Sequence, residues 1–134
     1  MTQEEKELLI KDLCGRLPYG VMLKHISTEK PFKLFSIKRD EYASYKKDGV
    51  ELAVNGVYYD WYVNDIYHDI ELYIKPYLRP MSSMTEEERQ EYGLILCDEL
   101  SINQFDWLNA HHFDYRGLIP KGLALEAKEW MYSN

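Results

Sequence analysis

The densest chemistry in the sequence lies between Asp106 and Ile119, where indole, imidazole, carboxylate and guanidinium groups share fourteen residues. Imidazole and carboxylate groups bind zinc and transfer protons in hydrolases, so His111, His112 and Asp114 are candidates for a metal or hydrolase site. His68 or Cys97 could join them from elsewhere in the chain. However, His111 and His112 are adjacent and therefore about 100° apart around a helix, so they cannot chelate one ion as a pair four residues apart would.

A structural role explains the same stretch. Ser101 is predicted to cap a helix whose core-facing stripe recurs at spacings of three, four and three residues: Phe105, Leu108, His112 and Tyr115. His111 is then placed to bond Asp114 one turn later, Arg116 lies in the last turn, and Gly117 ends the helix. The sequence contains no HExxH, nucleophile elbow, phosphate loop or paired-cysteine motif, so it predicts no catalytic residue and no cofactor.

Capping signals predict the other helices. Thr2 with Glu5, and Thr85 with Glu88, have the spacing of a capping box. After Thr2, apolar residues recur every four positions, as one buried stripe requires: Leu9, Leu13 and Leu17. The second box opens a helix with a predicted stripe of Tyr92, Ile95, Leu96 and Leu100. We therefore expect one N-terminal helix and two C-terminal helices.

The middle of the chain reads as short strands. Asn55-Gly56 is the preferred pair for a two-residue hairpin, and that turn gives the pairs Val54 with Val57, Leu52 with Tyr59, and Val50 with Trp61. About five strands without a crossover helix predict a small antiparallel meander, which could curl into an SH3-like barrel. The predicted class is α+β.

The length of 134 residues predicts one domain. Its predicted parts are a helix over residues 1–17, a β meander over 20–75, a helical part over 85–117 and a frayed tail over 128–134, from which Trp130 and Tyr132 could dock. The N-terminal segment is acidic rather than signal-like, and no apolar run approaches the roughly 18 residues of a membrane span. Cys14 and Cys97 have no metal-ligand spacing, so we expect buried free thiols in a reducing cytoplasm.

Charge is unevenly distributed along the chain. The net charge is -7, yet the segment from Val21 to Lys47 carries seven cations and three anions. A basic patch on strands can bind nucleic acid, although the overall acidity argues against a general nucleic-acid binder. The residues that would form this patch are Lys24, Lys33, Lys38, Arg39, Lys46 and Lys47.

The sequence favours a non-enzymatic protein-interaction module. Tyrosines and carboxylates interleave along the ribbon from Tyr58 to Tyr77. Tyrosine is enriched at interfaces because it combines a large contact area with a polar tip. The predicted surface for an unidentified protein partner consists of Tyr58, Asp60, Tyr62, Tyr67 and Tyr73. A monomer and a dimer are equally compatible with this pattern.

Three stretches carry a resemblance to known sequences: LCGRLPYGV (13–21), KPYLRPMSSMTEEE (75–88) and DWLNAHHFDYRGLI (106–119). They resemble a family of small uncharacterised bacterial proteins associated with phages or mobile elements. The resemblance covers about a third of the chain and omits its middle. It implies no activity, cofactor or catalytic residue.

Overall fold

The structure is a computed structural model that describes residues 2–25, 31–39, 50–55, 60–63 and 74–132. It contains helices and a small mixed sheet, so the predicted α+β class is confirmed. In chain order the elements are α1 (Gln3–Arg16), β1 (Met22–His25), β2 (Phe32–Arg39), β3 (Val50–Asn55), β4 (Asp60–Val63), β5 (Ile74–Leu78), α2 (Glu86–Leu96), α3 (Gln104–Ala110) and β6 (Leu125–Glu126). Short 3-10 turns cover Leu17–Tyr19 and Met81–Ser83.

The described strands form an open sheet in the order β4-β3-β2-β1-β5-β6. β5 pairs with β1 rather than with β4, so the sheet is not a simple meander. β6 runs parallel to β5, which makes the sheet mixed instead of purely antiparallel. The two helices between β5 and β6 provide the long crossover that a parallel pair requires.

The predicted hairpin register is wrong. The structure pairs Val54 with Trp61 and Asn55 with Asp60, so β3 and β4 are joined by residues 56–59, which lie outside the described residues. Asn-Gly indicates a turn but does not by itself fix the loop length, and four-residue hairpin loops are also common. The partner of Val54 is Trp61 instead of the predicted Val57, a shift of four positions. Because side chains alternate between the two faces of a strand, an even shift keeps the residues that were predicted to share a face on the same face.

Both predicted capping boxes are present. The Oγ1 of Thr2 accepts from the Glu5 amide at 3.1 Å while Glu5 accepts from the Thr2 amide at 2.9 Å. Thr85 and Glu88 make the same two bonds at 3.2 and 2.9 Å. Each box satisfies two amides that the first turn of a helix leaves without intrahelical partners.

The third helix differs from its prediction. Its cap is Asn103 rather than Ser101, because the Asn103 Oδ1 accepts from the amides of Phe105 and Asp106 at 2.9 and 3.2 Å. The helix ends at Ala110 because His112 adopts a left-handed backbone with φ of +64°. The expected stripe from Phe105 to Tyr115 therefore does not form, and Phe105 is 48% exposed.

Two apolar clusters form the core. The first lies between α1 and the sheet and contains Leu9, Leu13, Val21, Leu23, Leu34, Leu78, Leu118, Leu123 and Ala124. The second lies between α2, α3 and the segment after α3, and contains Met84, Ile95, Trp107, Leu108 and Phe113. The stripe predicted for α1 is thus confirmed at Leu9 and Leu13.

The predicted burial of both cysteines is wrong. Cys14 and Cys97 are exposed. Cys14 follows Leu13 by one residue, which rotates it about 100° away from the buried stripe. Cys97 is the C-cap of α2, where the chain leaves the helix, and the predicted stripe residue Leu96 beside it is 54% exposed. Within the described ranges, no helix combines the length and apolar character needed to cross a membrane.

Replacing Leu13 by Ala tests the first cluster. Leu13 is fully buried, so the cavity should lower the free energy of unfolding by about 2–5 kcal/mol, measured by urea denaturation. Leu96→Ala is the control at an exposed helical leucine and should change stability by less than about 0.5 kcal/mol. Equal effects of the two substitutions would contradict this assignment of the core.

Candidate functional site

Three segments of the chain that are rich in polar and aromatic residues meet at one place, which we call the junction. It is formed by the end of α1, the segment from Arg79 to Glu88, and the segment from Trp107 to Arg116. Backbone bonds lock the last two segments together: the Arg79 amide donates to the carbonyl of His112 at 2.7 Å, and the Asp114 amide donates to the carbonyl of Arg79 at 2.8 Å. The junction therefore collects residues that are far apart in sequence.

A buried ion pair lies at the centre of the junction. The Nε and Nη2 atoms of Arg16 donate to the two carboxylate oxygens of Asp12 at 2.7 and 3.1 Å, and both side chains are 0% exposed. Their spacing of four residues places them on the same face of α1. The Arg16 Nη2 also donates to the carbonyl oxygen of Phe113 at 2.6 Å. This bond is one of the additional partners that a charge pair removed from water needs, while the buried Arg16 Nη1 has no hydrogen-bond partner among the described residues.

Arg116 and Tyr115 extend this network. The Arg116 Nη1 donates to Asp12 at 3.2 Å, so Asp12 binds two guanidinium groups. The guanidinium carbons of Arg16 and Arg116 lie 5.3 and 4.9 Å from the centre of the Tyr115 ring, within cation–π range. The Tyr115 hydroxyl donates to the buried Asn109 at 3.0 Å. The predicted position of Arg116 in the last helical turn is wrong, because α3 ends six residues earlier, at Ala110.

Arg79 is held on two sides. Its guanidinium donates two hydrogen bonds to Glu88, at 2.8 and 2.7 Å, and lies 4.2 Å from the centre of the Phe113 ring. The bonds from Arg79 hold the pKa of the Glu88 carboxyl well below its usual range, at about 2. The segment that begins at Arg79 is therefore fixed to both α2 and the second apolar cluster.

The structure separates His111 from Asp114. The His111 ring stacks on Trp107, with ring centres 4.1 Å apart, and its Nδ1 lies 2.9 Å from the carbonyl oxygen of Trp107. The Asp114 oxygens accept instead from the amides of Leu118 and Ile119, at 2.8 and 2.9 Å. The bond predicted between His111 and Asp114 is therefore replaced by bonds to neighbouring backbone groups.

His112 is buried against the C-terminal segment. Its ring stacks on Tyr132 with ring centres 3.6 Å apart, and its Nδ1 has no hydrogen-bond partner among the described residues. Burial lowers the pKa of His112 to about 4, and the nearby charges of Arg16 and Arg79 act in the same direction. The imidazole is therefore neutral at pH 7.

Tyr132 anchors a tail that the sequence predicted to fray. Its hydroxyl donates to the carbonyl of Tyr77 at 2.7 Å and accepts from the amide of Met22 at 2.8 Å. It thereby bridges two neighbouring strands, β1 and β5. Burial raises the pKa of the Tyr132 phenol, so the hydroxyl stays protonated and can donate. Trp130, the other docking candidate, is 60% exposed.

A cleft of about 610 Å³ lies beside the junction, between the segment from Arg79 to Glu88 and the chain from Glu126 to Tyr132. Its hydroxyl groups are engaged in local structure. The Ser83 Oγ donates to the carbonyl of Pro80 at 2.7 Å, and Thr85 accepts from the Glu88 amide as the helix cap. Arg79 and Glu88, on the same wall, bind each other.

No group of three or more metal-ligating side chains occurs among the described residues. His111, His112 and Asp114 each have a different neighbour, namely Trp107, Tyr132 and the amides after Asp114. His68, which could have joined them, lies outside the described residues.

The other predicted surfaces are described only in part. Lys24 is partly buried on β1, Lys33 is exposed on β2, and Lys38 and Arg39 fall at the end of β2. Asp60 and Tyr62 fall in β4. Positions outside the described residues are Lys46, Lys47, Tyr58, Tyr67 and Tyr73.

The structure also places apolar side chains where the sequence did not predict a surface. Leu94, Leu96, Ile102 and Phe105 are 41%, 54%, 44% and 48% exposed. They lie on α2, on α3 and on the connection between them, which together we call the helical hairpin (residues 86–110). Periodicity had assigned Leu96 and Phe105 to the core. The signal that could have identified this surface is the uninterrupted apolar run Leu94-Ile95-Leu96, since one face of a helix cannot bury three consecutive residues.

No family model matches the chain, and comparison with curated proteins and with solved structures gave no match.

Replacing Asp12 by Ala tests the ion pair. The substitution leaves the Arg16 charge buried without its carboxylate, so the free energy of unfolding should fall by about 3–5 kcal/mol in chemical denaturation. Glu91→Ala removes an exposed carboxylate from the middle of α2 and should change stability by less than about 0.5 kcal/mol. A loss below about 1 kcal/mol for Asp12→Ala would contradict the central role of the pair.

Replacing His112 by Asn tests the buried imidazole, because Asn tolerates the left-handed backbone at this position. The pKa of His112 is about 4 in the folded chain and 6.5 ordinarily, so the unfolded chain takes up the proton first as pH falls. Wild-type stability should therefore fall between pH 6.5 and pH 4, by about 3 kcal/mol in total.

The Asn variant should lack this part of the pH dependence when unfolding is measured across that range. His111→Asn, the matched control, should keep it. Glu88 loses its stabilising effect in a lower window, from pH 4.5 to about pH 2, in all three proteins. Identical pH profiles for wild type and the His112 variant would disprove the assignment.

Proposed function

We propose that the chain is a non-enzymatic protein-interaction module that binds its partner through the helical hairpin. The observation that carries this proposal is the exposure of Leu94, Leu96, Ile102 and Phe105. Among the described residues they make up four of the seven exposed large apolar side chains, and they fall within twelve consecutive positions. Exposed apolar side chains concentrated in one segment favour a surface that another protein covers, and here that protein would contact both flanks of α2.

The inner side of the hairpin is well packed, which makes the outer side a preformed surface. Ile95, Trp107 and Leu108 are buried in the second apolar cluster. The Trp107 ring stacks on Tyr92 and Phe113 with ring centres 5.3 and 5.8 Å apart. A surface that is already rigid loses less conformational entropy when it binds.

The junction supports a non-enzymatic role. Its charged groups bind one another: Arg16 and Arg116 bind Asp12, while Arg79 binds Glu88. An enzyme active site instead presents acids, bases or nucleophiles that can reach a substrate. The densest chemistry of the sequence is better explained as the structure that holds the hairpin in place.

The ribbon of tyrosines and carboxylates remains part of the proposal as a second contact surface. Its residues Asp60 and Tyr62 fall in β4, which is an edge strand of the described sheet. Edge strands carry backbone groups able to pair with another chain. A partner strand added at β4, or closure of the sheet into a small SH3-like barrel, would supply hydrogen-bond partners for these backbone groups.

Capture from a lysate of the native host, read by mass spectrometry, tests the proposal. The tagged wild-type chain should retain a protein partner that survives nuclease treatment. The variant Leu96→Ser with Ile102→Ser should lose it, because two exposed apolar contacts are removed without touching the core. Tyr19→Ser with Met81→Ser is the matched control at exposed apolar positions outside the hairpin and should retain the partner.

Equal capture by both double variants would show that the hairpin is not the binding surface. Loss of all bound material on nuclease treatment would favour nucleic-acid binding through the basic strands instead, and that binding should weaken as salt is added.

A further inference from the structure

We infer that the partner segment bound by the helical hairpin is cationic and amphipathic, with lysine or arginine side chains beside apolar ones. This inference rests on the proposed function and adds the chemistry of the partner. It follows from the charges that surround the exposed apolar residues.

The hairpin region is strongly acidic. Between Thr85 and Asp106 the sequence contains seven carboxylates and one cation, Arg89. Glu88 is bound to Arg79, and the other carboxylates are all exposed: Glu86, Glu87, Glu91, Asp98, Glu99 and Asp106. Within the described part of the chain, no salt bridge ties any of these six exposed groups.

Helical geometry places carboxylates next to apolar side chains. Glu87 and Glu91 precede Leu94 by seven and three residues, so all three lie on one flank of α2, beside the buried face marked by Ile95. Beyond the helix, the Glu99 amide donates to the carbonyl of Leu94 at 2.9 Å, which folds the connection back onto the last turn. Leu94 is therefore bordered by negative charge on the helix and on its connection, and the exposed Asp98 and Asp106 follow Leu96 and Phe105 closely in the chain.

The negative charge of the hairpin determines which kind of partner can bind there. Apolar contact supplies affinity, while opposite charge at the rim accelerates encounter and rejects partners of like charge. Nucleic acid and an anionic membrane surface carry the same sign as the hairpin and are disfavoured. A second copy of this chain, binding through the same face, would place acidic rims against each other. A basic segment of another protein satisfies both the charges and the apolar groups.

Binding of synthetic peptides to the full chain tests the inference. The probe is a fluorescein-labelled helical peptide of leucine and lysine, with leucine on one face. One comparison peptide replaces every lysine by glutamate, and another has the same composition in a non-amphipathic order. Fluorescence anisotropy should show the lysine peptide binding at least about tenfold more tightly than either comparison peptide, with affinity falling as salt is added.

Charge variants locate the binding surface. Glu91→Lys with Glu99→Lys should weaken binding of the lysine peptide by roughly tenfold and improve binding of the glutamate peptide. The control variant, Glu4→Lys with Glu7→Lys, makes the same change in net charge at exposed positions near the start of α1. It should alter affinity by no more than about twofold, because salt screens distant charges.

Equal weakening in the two charge variants, or equal binding of the three peptides, would overturn the inference. If the lysine peptide fails to bind while host-protein capture still depends on Leu96 and Ile102, the partner has another chemistry and the proposed function stands. If the peptide selectivity is as expected but host capture ignores Leu96 and Ile102, the proposed function fails instead.

Discussion

The buried guanidinium of Arg16 is the constraint on which the rest of the structure depends. A charge enclosed by protein is tolerated only with an opposite charge and further hydrogen bonds around it. Asp12 and the carbonyl oxygen of Phe113 bind two of the three guanidinium nitrogens, and Phe113 lies 97 residues away in the chain. Satisfying one side chain therefore fixes α1 against the segment that follows α3. The position of that segment in turn determines where Arg79, His112 and the hairpin lie.

Three stretches of the sequence, residues 13–21, 75–88 and 106–119, meet at this junction. Arg16 belongs to the first stretch, Arg79 to the second and Phe113 to the third, and both guanidinium groups contact Phe113. A glycine permits the close approach of the first and third stretches: a Cβ at Gly15 would lie 3.1 Å from the Nδ2 of Asn109. The dense polar chemistry of these stretches is thus explained by assembly of the fold.

Local signals were reliable at the two capping boxes, but they failed at the Ser101 cap and at the His111–Asp114 bond, whose partners also lie within one helical turn. The capping boxes at Thr2 and Thr85 need only residues three positions apart, and both form. The end of α3 was not predictable, because the left-handed conformation of His112 accompanies its burial and its stacking on Tyr132, twenty residues later. The candidate surface was missed for the same reason. Exposure of Leu96 and Phe105 depends on which residues the rest of the chain covers.

Leu94 and Leu96 are exposed because a helix cannot place three consecutive apolar residues on one buried face. Leu94 and Leu96 flank Ile95, and successive residues are rotated by about 100°, so the two leucines lie on opposite flanks of α2. The second apolar cluster buries Ile95 to 4% exposure and leaves Leu94 and Leu96 outside at 41% and 54%. A single core therefore cannot cover all three residues. Each flank thus exposes an apolar side chain outside the core, and the proposed partner, whose positive charge would match the nearby carboxylates, would contact both flanks.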